Sequence, residues 1–431
     1  MTSSPRINRA TAVWTFIGLV LLTVNLRAAI TGISPMLGDL REVFGLSGIE
    51  VSVLTTLPVL CLGLFATLAP VLARRLGAEP AIAVSLLLIT AGIVLRVVPA
   101  RAALFAGTVL AGAGIAMGNV LMPAVIKRVF PRRVGSLTGM AMMLMATSGA
   151  IAAGLAVPMN DTAGWRWALA IWAVPSLVAA LAWGPLAVGG HRRTRAASDG
   201  PSGATASAPA DQGSLLRSPL AWHITAFMGL AALMFYVLMS WLPQIMRDHG
   251  QPPATAGSMV SVMMIIGIPL GFFVPVLAAR VRDQRPLVTA ITVIMAAGLA
   301  GLLMFPGAAW VWVAVLGTAT GSAFPLGFTL LSLRSPSPTV AARLSGMAQC
   351  GGYLLAGLGP LAVGVLHSAT GGWQVSLGLL LALVVPELVF GWLAARPGFV
   401  RLDPVPPKAV EHLIEPKNVP RAPTPERTAA L

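Results

Sequence analysis

The stretch TAVWTFIGLVLLTVNLRAAITGISPML, residues 11–37, decides how the rest of the chain is read. It is apolar along nearly its whole length, and about 20 such residues in a helix cross the hydrocarbon core of a bilayer. It is too long for the apolar region of a cleaved leader, and Arg27 interrupts it. The stretch therefore predicts a helix that stays in the membrane. A cation inside such a run is costly unless something compensates it, so Arg27 is the first candidate functional residue.

Eleven further apolar runs follow. Together the predicted spans lie at 11–38, 50–72, 80–99, 102–126, 136–158, 165–188, 219–246, 256–278, 286–305, 308–332, 345–367 and 373–395. An open chain in lipid satisfies its own backbone only as helix, and these runs are too long for barrel strands. The expected fold class is an all-α integral membrane protein of twelve transmembrane helices. Composition agrees: 56% of the 431 residues are hydrophobic and 10% charged, against about 25% charged in a soluble domain.

The net charge of +15 is no sign of nucleic acid, because the basic residues sit in short clusters between apolar runs. With the N-terminus in the cytoplasm, the inner loops collect Arg6, Arg9, Arg74, Arg75, Lys127, Arg128, Arg132, Arg133, Arg192, Arg193, Arg280, Arg282 and Arg334, among others. The outer edge keeps only Arg41, Arg96, Arg101, Arg166 and Arg247. That asymmetry predicts both termini on the cytoplasmic side of the cell membrane. Cys61 and Cys350 lie inside apolar runs and read as small core residues, not as a disulfide or metal site.

The chain also repeats itself. Thr138-Gly139-Met140-Ala141 corresponds to Ser345-Gly346-Met347-Ala348, and Pro70-Val71-Leu72-Ala73 to Pro275-Val276-Leu277-Ala278. Gly164-Trp165 corresponds to Gly372-Trp373, and Pro35 to Pro243. All four offsets fall between about 205 and 208 residues. An even number of spans in each half makes the halves parallel repeats about an axis along the membrane normal. The expected units are an N-terminal six-helix bundle at 1–188 and a C-terminal one at 219–395. Between them lies a flexible cytoplasmic linker at 189–218, rich in Ala, Ser, Gly and Pro, and a charged tail at 396–431 is expected to be disordered.

Twelve helices in two bundles around a long central loop resemble the major facilitator superfamily. Finer motifs are similar to the cyanate/nitroimidazole porter family (CynX/NimT type). They are Asn25-Leu26-Arg27 with Pro35, Gly118-Asn119-Val120-Leu121-Met122-Pro123 with Lys127, and Gly164-Trp165-Arg166. To these add Phe227-Met228-Gly229, Phe235-Tyr236, Trp241-Leu242-Pro243, Leu344-Ser345-Gly346-Met347-Ala348-Gln349, Gly352-Tyr353 and Gly359-Pro360. The resemblance covers about 15–395. It departs from the wider superfamily in the loop after the second span, Ala73-Arg74-Arg75-Leu76-Gly77-Ala78-Glu79, which lacks the usual acidic–basic signature. The resemblance implies a carrier working by alternating access, with a central site between spans one, four, seven and ten. It covers both uptake of a small anion and export of a nitro-heterocycle, so it sets no direction.

The residues refine that picture. In one helix Arg27 shares a face with Thr31 and Ser34, a cation flanked by hydroxyls that suits a small anion or a polar planar ligand. No carboxylate falls at its depth; Glu387 is the one intramembrane acid, in the twelfth span, which the resemblance puts outside the cavity. The repeat partner of Arg27 is Phe235 or Tyr236, so a cation in one half faces an aromatic in the other. Tyr236, Ser240 and Gln244 recur at helical spacing in the seventh span. Asn119 in the fourth span, and Gln349 with Tyr353 in the eleventh, are further candidate ligands. Pro35, Pro123, Pro243 and Pro325 are candidate hinges.

No nucleotide-binding loop, nucleophile–base pair or metal-ligand spacing stands out, so no enzyme, cofactor or metal is expected. The predicted function is secondary transport of a small polar or anionic solute (cyanate-like, a small carboxylate or a nitro-heterocycle) by a monomer in the inner membrane. The competing readings are a broad-specificity drug exporter with an apolar, Met-rich cavity and a membrane sensor without transport.

Overall fold

The computed structural model describes residues 9–198 and 213–401. Twelve helical stretches are long and apolar enough to cross a membrane. They are Arg9–Thr31, Val53–Leu76, Ala78–Arg96, Arg101–Val129, Pro131–Ala163, Trp165–Gly189, Pro219–Asp248, Thr255–Arg280, Arg285–Met304, Pro306–Leu333, Pro338–Thr370 and Gln374–Ala394. They are called spans one to twelve below, and no strand occurs among the described residues. Twelve crossings put both chain ends on one face, here the terminal face.

Three boundaries differ from the sequence reading. Span one stops at Thr31, and Pro35 sits in a short 3-10 turn, Ser34–Met36, before a separate helix, Leu37–Phe44. Pro35 has no N–H to donate back to the Thr31 carbonyl, so the α-helical ladder stops there and the chain tightens into the 3-10 turn. The predicted linker at 189–218 is helical up to Ser198, and Leu215 in the short 3-10 turn Leu215–Arg217 is buried; residues 199–212 lie outside the described residues. The first residues of the predicted tail pack on the bundle: Val400 is buried and its N–H donates to the Arg334 carbonyl at 2.8 Å. The remainder, 402–431, is outside the described residues.

The helices form two six-helix bundles with matching internal contacts. In the first, span three packs on four and six, span one on five and six, and span two on four. In the second, span nine packs on ten and twelve, span seven on eleven and twelve, and span eight on ten. Between the bundles, span five lies on span eight and span eleven on span two.

Those two seams are built from the repeated sequence pieces. Gly139 lies so close to span eight that a Cβ there would stand 2.5 Å from the Phe272 carbonyl. Gly346 meets span two, with Pro70 Cγ 3.0 Å and the Ala66 carbonyl 3.1 Å from the same built position. The Thr/Ser-Gly-Met-Ala piece of each half therefore meets the stretch ending in Pro-Val-Leu-Ala of the other. With no hydrophobic drive between helices in lipid, small residues that admit close backbone approach carry such packing.

A second pair of equivalent contacts pins the bundles at the terminal face. Arg128, ending span four, makes a forked contact with Glu79 at the start of span three, at 2.6 and 3.2 Å. Arg334, just after span ten, binds Gln284, just before span nine, together with the carbonyls of Ala394 and Ala395. The loop that departs from the superfamily signature thus still supplies an acidic partner, from Glu79. At the far face, Ser47 and Glu50 form a capping box ahead of span two. The Ser47 amide and hydroxyl donate to the Glu50 carboxyl at 2.7 and 2.9 Å and hold it below the usual carboxylate range.

Candidate functional site

Arg27 lies half-buried on span one, one turn before its end. Its stem rests against Gly149 of span five, where a built Cβ would stand 2.8 Å from Arg27 Cγ. The guanidinium reaches across to the second bundle, 6.0 Å from the centre of the Phe235 ring, and faces the Tyr236 phenol. Among the described residues no carboxylate pairs with it. Arg27 and Phe235 are 208 positions apart, the offset of the Pro35–Pro243 pair. Equivalent positions of the two halves thus touch across the interface, one a cation and the other a ring.

Behind Phe235 the rings continue. Phe235 and Tyr236 stand edge to face at 5.4 Å, as do Tyr236 and Tyr353 at 6.5 Å; Tyr353 and Phe324 are tilted at 6.3 Å, and Phe324 and Phe328 at 5.4 Å. Tyr236 and Tyr353 are the chain's two tyrosines. The wall comes from spans seven, ten and eleven, so the second bundle supplies the aromatics and the first supplies the charge.

The other predicted residues divide. The Thr31 hydroxyl donates to the Gly149 carbonyl at 3.0 Å and to the Arg27 carbonyl at 3.2 Å, so it ties span one to span five beside the cation. The side chain of Ser34 is outside the described residues, and its backbone lies beyond the end of span one. Asn119 is buried with its Oδ1 lacking a partner. Gln349 is buried one turn below Tyr353; its Nε2 donates to Ser345 Oγ at 2.8 Å and its Oε1 has no partner.

Ser240 is exposed, one turn beyond Tyr236 toward the far face. Gln244 does not join the cluster: its Nε2 donates to Asp248 Oδ1 at 2.7 Å, and its Oε1 accepts from Arg247. Eight residues separate it from Tyr236, about 12 Å of helix, so the two share a face but not a depth. The candidate hinges also divide. Pro35 marks a true break, whereas Pro123, Pro243 and Pro325 lie inside continuous helices. Trp241 lies over Gly364 and donates to the Pro360 carbonyl at 2.9 Å, fastening span seven to span eleven.

Two cations hold positions that the sequence alone does not disclose. Arg96, counted above among the outer charges, is 2% exposed. It donates to the Ala29 carbonyl at 2.5 Å and to Thr108 Oγ1 at 3.2 Å. The last carbonyls of a helix have no partner within it, and Arg96 supplies one two residues after Arg27. Lys127 spans the bundles at the terminal face: its ammonium donates to the carbonyls of Ser332, at 2.6 Å, and Ser335. Beside it the Ser332 hydroxyl donates to the Pro123 carbonyl at 3.3 Å. Spans four and ten are thereby joined at this face, while spans one and seven show no comparable packing. Glu387 is fully buried in span twelve, which packs on spans seven and nine, and stands apart from the aromatic cluster.

Two bundles joined at one face, with a cation of one meeting an aromatic cluster of the other at their interface, define a membrane solute carrier. The model of the Major Facilitator Superfamily matches residues 19–357, and the chain belongs to that family. It is 35% identical over 402 residues to the 2-nitroimidazole transporter of Escherichia coli (strain K12), covering 93% of this chain and 100% of that protein. It is 31% identical over 360 residues to the cyanate transport protein CynX of the same organism, covering 82% and 90%. Among solved structures, the proton:xylose symporter XylE superposes with a TM-score of 0.73 at 13% identity, covering 95% of this chain and all of that one. At that identity the likeness speaks for the fold.

Proposed function

We propose that the chain is a secondary transporter that moves a small polar or anionic solute across the cytoplasmic membrane by alternating access. One observation carries this reading: a half-buried cation at the bundle interface, without a carboxylate partner among the described residues, lies against an aromatic wall. A guanidinium in hydrocarbon costs several kcal/mol unless compensated, whereas one cation–ring contact returns only about 1 kcal/mol. A solute that brings the counter-charge closes that gap. The relatives named for cyanate and for 2-nitroimidazole support a small, flat, polar solute.

In this reading Arg27, Tyr236 and Tyr353 contact the solute, with Asn119 and Gln349 beneath them. Thr31, held by the backbone of span five, sets the position of Arg27. The two halves, 1–188 and 219–395, derive from one duplicated six-helix unit and rock as bodies about the interface. The matching helix contacts and the equivalent clamps Glu79–Arg128 and Gln284–Arg334 support this, their offsets of 205 and 206 residues agreeing with the sequence repeat. The basic terminal face lies in the cytoplasm, with both termini, and the protein works as a monomer. The contacts at Lys127 then close the cytoplasmic side, and the state described is outward-facing.

The test is solute flux in proteoliposomes for the unaltered protein and for Arg27→Ala. Uptake or exchange of small anions is expected in the former and a loss of about tenfold or more in the latter. Undiminished transport of every solute by Arg27→Ala would rule out the cation site and favour a broad exporter.

A further inference from the structure

The corner where spans nine and twelve meet at the terminal face carries a cluster that solute binding does not use. Arg285 opens span nine, and Arg396 follows the end of span twelve by two residues. Both guanidiniums lie against one ring: the Cζ of Arg285 stands 4.1 Å from the centre of Trp392 and that of Arg396 5.8 Å. Gln284 turns inward to Arg334, while its neighbour Arg285 lies on a ring that is 40% exposed. Among the described residues neither guanidinium donates a hydrogen bond, and Arg285 Nε is buried. Asp283 Oδ1 stands 3.9 Å from that Nε, beyond hydrogen-bond distance. With Arg280 and Arg282 just before span nine, the corner sets four arginines against this one carboxylate.

The duplicated unit does not require the cluster. At the offset of 205 that pairs Gln284 with Glu79, Arg285 falls on Pro80. At the offset of 208 that pairs Trp373 with Trp165, Trp392 falls on Gly184 and Arg396 on Val188. Those positions of the first bundle hold neither cation nor ring. Below Trp392 the surface is apolar. Val389 and Val385 continue the exposed face of span twelve at three- and four-residue steps, and Val293 is exposed on span nine two turns below Arg285. Cations at the membrane boundary above an exposed apolar face suit an amphiphile, whereas a free anion would use the charge alone.

We propose that this corner binds an anionic phospholipid, its phosphate held by Arg285 and Arg396 and its acyl chains lying along Val293, Val385 and Val389. A guanidinium stacked on an aromatic face keeps its edge of N–H donors for a phosphate. A tryptophan at a span end sits at headgroup level. Each basic side chain near the surface favours anionic lipid about fivefold. The site does not depend on the solute reading.

The experiment is native mass spectrometry of the delipidated full-length protein with three probes. These are phosphatidylglycerol, phosphatidylcholine (same phosphate, no net charge) and glycerol 3-phosphate (a phosphate without acyl chains). The first phosphatidylglycerol is expected to bind at least about tenfold more tightly than either of the others. Arg285→Gln combined with Arg396→Gln should weaken it about tenfold or more. Arg285→Lys with Arg396→Lys keeps both charges, should stay within about threefold, and guards against a folding artefact. Arg132→Gln with Arg133→Gln, exposed on the first bundle at the same face, should change it by less than about twofold.

An equal loss in the Arg132 and Arg133 pair would mean that the basic face attracts lipid without a site, and overturns the proposal. Undiminished phosphatidylglycerol binding without Arg285 and Arg396 overturns it as well. Phosphatidylcholine binding as tightly would remove the anionic requirement, and glycerol 3-phosphate binding as tightly would make the ligand a soluble phosphate; either result also overturns it.

Discussion

The ammonium of Lys127 ends in the carbonyls of Ser332, at 2.6 Å, and Ser335, so a cation of span four caps the end of span ten in the other bundle. Those carbonyls have no helical partner of their own, and a cation there also meets the negative end of the helix dipole. Charged hydrogen bonds of this kind contribute about 2 kcal/mol, or about thirtyfold in the ratio of closed to open states. Lys127→Ala should therefore open the terminal face. Electron–electron distance measurements between spin labels at Arg132→Cys and Pro336→Cys, in a background without Cys61 and Cys350, should show a new, longer population. An unchanged distance distribution would mean that the contact does not hold the bundles.

The seams set a second expectation through their unequal tightness. A Cβ at Gly139 would stand 2.5 Å from the Phe272 carbonyl, a backbone atom that cannot swing away. At Gly346 the nearest atoms lie at 3.0 and 3.1 Å, one of them a ring carbon of Pro70. Overpacking costs about 1–3 kcal/mol where the surroundings cannot yield. Gly139→Ala should thus lower the melting temperature and the transport rate clearly more than Gly346→Ala. Equal effects, or the reverse order, would contradict the geometry.

The spans were legible because lipid imposes one simple rule: a helix of about 20 apolar residues satisfies itself. The break at Pro35 was half legible. Proline announced a kink, but not that Thr31 would be the last residue of span one. Arg27 and its ring partner could be read because the repeat offset pairs position 27 with 235, and pseudo-symmetry put those positions in contact. Arg96 was misplaced because a residue at a span end reads as a loop charge; only the fold brings it under the end of span one. Gly149 carried no signal, since its role is simply to leave room for the Arg27 stem. Gln244 shares a helical face with Tyr236, and periodicity along one helix gives direction but no depth.

Arg96 yields a third prediction. Its removal strips the Ala29 carbonyl of a donor in a buried place, which costs about 1–3 kcal/mol. Arg96→Met should therefore lower the melting temperature. Because the carbonyl belongs to the turn that carries Arg27, it should also raise the KM of the transported anion more than it lowers the maximal rate. Thr108→Val removes the 3.2 Å contact to the Arg96 side chain and the hydroxyl's bond to the Leu104 carbonyl, which the helix leaves paired within its own ladder, and should be milder. A double variant no worse than Arg96→Met alone would show that the two act through one network. Strict additivity would sink that view.

The equivalent clamps at the terminal face predict a difference between the halves. Glu79 pairs with Arg128, whose side chain is 36% exposed, so solvent screens the pair and its net worth is about 1 kcal/mol or less. Arg334 is 5% exposed, and Gln284 satisfies it without bringing a second charge. Glu79→Gln should accordingly be tolerated, because an amide already does the same work at the equivalent position of the other half. Gln284→Ala should cost about 1.5–3 kcal/mol, the penalty for stripping a buried charged donor of a partner. Gln284→Glu supplies a counter-charge to Arg334 but loses the amide N–H bonds to the Ala278 and Val281 carbonyls at 2.9 and 2.8 Å, so it should fall between Gln284→Ala and the unaltered protein. Thermal denaturation of the three variants in one detergent gives the ranking directly. A larger loss for Glu79→Gln than for Gln284→Ala would show that charge, not burial, sets the strength of these clamps.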